Sequence, residues 1–82
     1  MNSNRAMMRA KLADLVEKRK ITRRKARTAC LNIMPMINPA LEDVEKMDIV
    51  AAADLMDEIV MHQAELLSLG SQIADLEEAL YS

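Results

Sequence analysis

Two prolines four residues apart, Pro35 and Pro39, are the only prolines in this 82-residue chain, and its single glycine lies far beyond them at position 70. Proline lacks a backbone donor and its ring clashes with the preceding turn, so a helix interior does not tolerate it. From Asn4 to Met34 there is no Gly or Pro, and Ala, Leu, Met, Lys, Arg and Glu dominate, all good helix formers. The stretch from Ala40 to Leu69 is equally free of both breakers. The proline pair therefore divides the chain into two helical halves. The expected fold is all-α, a long antiparallel helical hairpin with helices over about 4–34 and 39–69 or 39–81, making one domain over 1–82. A single tyrosine and no Trp or Phe leave little aromatic filling for a sheet core.

Asn38 reads as the N-cap of the second helix with Pro39 at its first position, and Glu42, Asp43 and Glu45 put acids where the helix dipole favours them. On the first helix, turning 100° per residue from Leu12 gathers Met8, Leu15, Val16, Ala26, Cys30, Ile33 and Met34 into one apolar stripe. Arg19 and Arg23 interrupt it. The second helix carries a ridge of Leu41, Val44, Ala51, Leu55, Ile59, Leu66, Leu69, Ile73, Leu76 and Leu80, spaced by threes and fours with a stutter between Leu55 and Ile59. A second ridge of Ile49, Met56, Val60, Leu67 and Ala74 lies roughly 100° further round, too wide for one neighbour to cover.

Helix lengths of roughly 45 Å and 64 Å leave C-terminal turns overhanging. Gly70-Ser71 is the one internal break signal, so the overhang either folds back as a short third helix or pairs with another chain. A chain this short has a marginal core, and coiled-coil-like association into a multi-helix bundle relieves that. The expected state is a homo-oligomer, a dimer first of all, held through Leu55, Ile59, Leu66, Leu69 and Ile73. The corner Pro35-Met36-Ile37-Asn38-Pro39 resembles the hairpin turn of type III secretion needle subunits over those five residues, although the strongly basic first helix departs from that family.

Charge is segregated. Residues 1–40 carry ten Lys/Arg against two acids, a net +8, and residues 41–82 carry one Lys against eleven acids, a net −10, so the overall −2 conceals a basic and an acidic half. Seven cations, Lys18, Arg19, Lys20, Arg23, Arg24, Lys25 and Arg27, crowd into ten residues. A hairpin turning near Met36 and Ile37 sets this run beside residues 46–55, where only Asp48 and Asp54 lie, with Lys46 repelling. The cations left over point to an acidic partner or to the acids of a second subunit. The leading expectation is a small regulatory protein that docks this basic band on an acidic protein surface. The alternative is a helical dimer that binds duplex DNA or structured RNA through its backbone without reading sequence, since no aromatic platform for base stacking exists.

Other constellations are weaker. Thr22 would cap a second helix in a helix-turn-helix, but Arg23, Arg24 and Lys25 would then oppose the dipole. Asp54, Glu58, His62 and Glu65 share a face, and Glu58 with His62 has metal-ligand spacing, yet one histidine falls short of the usual ligand set, so a metal-binding bundle is the outsider. The eight methionines read chiefly as core filler, Met36 and Met61 as exposed. No nucleophile stands with a base and an acid at recognisable spacing, and a hairpin has little concavity. No enzymatic activity, cofactor, metal or small-molecule substrate is expected. A lone Cys30 and apolar runs too short for a bilayer suit a reducing, cytoplasmic setting without membrane insertion.

Overall fold

A computed structural model describes residues 2–82 as two long antiparallel helices, α1 (Asn2–Ile33) and α2 (Ile49–Tyr81), joined by a connector containing short 3-10 helices at Met34–Ile37 and Val44–Lys46. The all-α hairpin expected from the prolines is the fold, and no strand occurs among the described residues. It is a rod of 64 × 17 × 14 Å with a radius of gyration of 18.5 Å, against about 12 Å for a compact domain of this length.

The first half ends as predicted. Pro35 enters a 3-10 turn, where its missing N–H does no harm, and the chain leaves through Asn38 in extended conformation. The second half begins ten residues later than predicted. Asn38 accepts from the Ala40 amide at 3.0 Å, which closes a local turn rather than capping a helix. The cap of α2 is Asp48, whose Oδ1 accepts from the Ala51 amide at 3.0 Å. Leu41 and Val44, the expected start of the ridge, lie in the connector and stay exposed.

Seam length explains the shift. The α1 residues turned inward are Met8, Leu12, Leu15, Arg19, Thr22, Ala26, Ala29 and Ile33, with Met36 continuing into the connector, in unbroken 4-3 spacing. Those of α2 are Ala52, Leu55, Ile59, His62, Leu66, Leu69, Ile73, Leu76 and Leu80, again in unbroken 4-3 spacing. Starting α2 at Asp48 lets both seams run their full length side by side. A helix begun at Pro39 would have matched Leu41 and Val44 to α1 and left Ile73, Leu76 and Leu80 overhanging. The two helices are 32 and 33 residues long, so no overhang exists.

The 4-3 spacing also corrects individual positions. At 100° per residue Cys30 returns to the angle of Leu12, but a seam with a 3.5-residue period drifts about 20° per heptad from that straight-helix count. By the third turn of the repeat the drift carries Cys30 and Met34 off the seam, both exposed, and brings Ala29 in. On α2 the seam takes Ala52 in place of Ala51, which removes the apparent stutter between Leu55 and Ile59, and His62 fills the gap in the ridge between Ile59 and Leu66.

No third helix forms. The α2 backbone passes through Gly70 without a positive φ, and the Gln72 side-chain amide donates to the Ser68 hydroxyl at 3.1 Å across it. A mid-helix glycine costs about 1 kcal/mol relative to alanine, whereas burying Ile73 and Leu80 contributes about 1.5–3 kcal/mol each. Beyond them, the Arg5 guanidinium donates to the Leu80 carbonyl, bringing a cation from α1 to the C-terminus of a helix with none in its own last turn.

The two candidate caps differ in what they hold. Asp48→Ala should lower unfolding free energy by about 1 kcal/mol, while Asn38→Ala leaves helix content unchanged. Chemical denaturation followed by circular dichroism checks this, and a larger loss from Asn38→Ala would place the start of α2 wrongly.

Candidate functional site

The basic run lies wholly inside α1, which continues without a break through Ile21 and Thr22. Thr22 is 4% exposed on the seam, so it caps nothing and the helix-turn-helix reading falls. Because α2 starts late, the register also differs from expectation. Lys18 faces Glu65 and Arg5 faces Leu80, which sets residues 18–27 beside about 57–66 rather than 46–55.

This register sorts the seven cations. Lys18 Nζ lies 3.6 Å from Glu65 Oε1 across the helix pair. Arg19 occupies a seam position and is half-buried, the guanidinium stem taking the place of an apolar side chain. Lys25 and Arg24 border a shallow recess with Glu58 and Leu55 of α2. Lys20, Arg23, Arg24 and Arg27 line an open groove on the outer side of α1, with Glu17 as its only acid. Spacings of three, four and seven residues place these four on one helical face. None of the four makes an ion pair among the described residues.

The acidic half therefore neutralises little of the band directly. Of Asp57, Glu58 and Glu65, which fall beside the run, only Glu65 meets one of its cations. Glu58 is engaged on its own helix, lying 3.3 Å from His62 Nε2, which donates in the Nε2–H tautomer. His62 is a seam residue, and among the described residues no group of three His, Cys, Asp or Glu side chains gathers around a metal-sized space.

The five residues expected to join copies, Leu55, Ile59, Leu66, Leu69 and Ile73, all lie on the seam. Leu69 and Ile73 are buried and the other three half-buried within one chain. Their packing faces are turned toward α1 within one chain. The second ridge is the exposed one: Ile49, Met56, Val60 and Leu67 stand in solvent at 46–70% exposure. Arg5 had no sequence signal, since its partner carbonyl lies 75 residues away.

No helix among the described residues is long and apolar enough to cross a membrane. No family model matches the chain, and no curated protein or solved structure matches it either.

Lys18 and Glu65 keep side chains 62% and 41% exposed, a setting in which ion pairs are worth tenths of a kcal/mol. A double-mutant cycle with Lys18→Ala and Glu65→Ala should give a coupling below about 0.5 kcal/mol. A coupling of several kcal/mol would mean that the charge halves hold the hairpin together.

Proposed function

We propose that the chain is a non-catalytic, helical interaction protein of a reducing compartment such as the cytoplasm, which docks its basic band on an acidic protein surface. The observation that carries this reading is the open groove of Lys20, Arg23, Arg24 and Arg27, four cations on one face of a supported helix, none of them ion-paired among the described residues and with Glu17 the one acid in the groove's lining. Guanidinium forks in that arrangement suit bidentate capture of carboxylates. Docking then acts by occupancy: the rod covers an acidic site or bridges two.

An acidic protein segment suits this face better than a nucleic-acid duplex. Packed helix axes lie about 8–10 Å apart, so the acidic α2 runs behind the groove at a distance comparable to the Debye length at low salt. A target the width of one helix meets only the cations. A duplex also feels the field of α2, whose seven acids share that helix with no Lys or Arg, and the overall charge of −2 opposes its long-range attraction.

Fluorescence anisotropy with a labelled Glu-rich helical peptide and, separately, a mixed-sequence DNA duplex tests this, each titrated from about 50 to 200 mM salt. The peptide should bind, and the combined Lys20→Glu, Arg23→Glu, Arg24→Glu and Arg27→Glu variant should lose at least about tenfold in affinity. Arg19 is left intact because it belongs to the seam. Unchanged peptide binding by the variant overturns the assignment of the groove. Tight duplex binding without peptide binding replaces the acidic protein with nucleic acid.

A further inference from the structure

The ion pair across the seam fixes which side of the rod each residue takes. Lys18 and Glu65 each stand immediately before a seam residue, Arg19 and Leu66, and they meet, so residues that precede seam positions line one side of the hairpin on both helices. Residues that follow seam positions line the other side. On α1 these include Lys20, Arg23 and Arg27, after Arg19, Thr22 and Ala26, and on α2 Met56, Val60 and Leu67, after Leu55, Ile59 and Leu66. The cations of the groove and the exposed ridge of α2 are therefore two walls of one face, and the antiparallel register sets residues 20–27 level with Val60. We infer that this face seats an acidic amphipathic helix of a partner protein, its carboxylates on α1 and its apolar stripe on the α2 ridge, as a third helix against the hairpin. The inference rests on the basic groove being a site for an acidic protein, and adds what that protein carries beside its acids.

Spacing selects a helix as the occupant. The cations recur at three and four residues and the ridge at four and seven, so both walls keep the period of a helix lying along them. Two packed helices leave a groove that a third fills with its axis about 8–10 Å from each of theirs. The walls then set its chemistry. None of the three cations has an ion pair among the described residues, while Met56, Val60 and Leu67 stand 46%, 56% and 70% exposed. A helix with carboxylates along one flank and apolar side chains beside them satisfies both walls at once. Charge disfavours other occupants. A second copy turned about a two-fold axis through this face would bring the two rows of cations together. An anionic lipid surface is broad enough to feel the seven acids of α2 as well, and the net charge of −2 opposes its approach.

Two labelled peptides of about three heptads test this, one with Leu at 4-3 spacing beside a flank of Glu, the other identical but with Gln for each Leu. In fluorescence anisotropy against the full chain the Leu peptide should bind at least about tenfold more tightly than the Gln peptide. Val60→Gln combined with Leu67→Gln should remove most of that difference and leave affinity for the Gln peptide unchanged, with helical circular dichroism retained because both side chains are more than half exposed. Equal affinity for the two peptides overturns the inference while the acidic partner of the groove stands. Binding of neither peptide removes the groove assignment and the inference together; a chain that is instead dimeric in sedimentation equilibrium, or that sediments with phosphatidylserine vesicles, has a second copy or a lipid surface on this face. Should the double variant lose helicity, the unaltered chain decides. Cys30 is exposed and follows the seam residue Ala29, so it lies on this same face near Met56. Its alkylation by N-ethylmaleimide should slow when the Leu peptide saturates the chain, and an unchanged rate overturns the placement.

Discussion

The hairpin depends on one narrow contact, the 4-3 seam along which α1 and α2 lie against each other. Two helices offer each other a single face, so burial is confined to a line, and among the described residues no large side chain is removed completely from water. The buried apolar set, Ala29, Ile33, Ala52, Leu69, Ile73 and Leu80, sits toward the two ends of the rod. Between them lies a polar stretch in which Arg19, Thr22 and His62 take seam positions. Apolar grip at the ends fixes the register, and the polar middle disfavours slippage that would bring these groups onto Leu15 or Leu69 without partners.

From that register everything else on the surface follows. Sliding α2 by ten residues, as a start at Pro39 would require, changes which acids face the basic run and which turns remain free. In the actual register the ends meet squarely, Arg5 reaches the last carbonyls of α2, and Lys18 finds Glu65. The same alignment turns one face of α2 away from α1 along its full length. A hairpin with matched ends has no overhang with which to hold another chain, so any association uses a lateral face.

Much of this was legible in the sequence because it rests on local rules. The proline pair stops α1, helix propensity carries both halves, and the second ridge at Ile49, Met56, Val60 and Leu67 reads as exposed to anything but a further neighbour. The start of α2 was not legible because Asn38 and Asp48 are both good caps, and local chemistry does not rank them. The choice is made by how much seam each start brings into contact, a property of both helices at once. The misplacement of Cys30 and Ala29 has a related cause. A straight-helix period is right for a turn or two, but coiling around a partner changes it slightly, and the difference accumulates along a long seam.

The basic run shows the same division. Its charge density is plain from composition, but seven cations on consecutive turns point in every direction, and only the position of α2 distinguishes them. Arg19 is drawn into the seam, Lys18 and Lys25 lie along the α2 border, and Lys20, Arg23, Arg24 and Arg27 remain together on the outside. A solvated helix would scatter its charges evenly. Here α2 acts as a mask, covering one side of α1 and supplying a carboxylate there, so that what is left is a single positive face backed by a rigid partner helix. The acids of α2 bring the net charge to −2, which limits long-range attraction for polyanions in general. Separating the charges by helix, rather than mixing them along each, gives one small rod a cationic face on α1 and an uncharged ridge on α2.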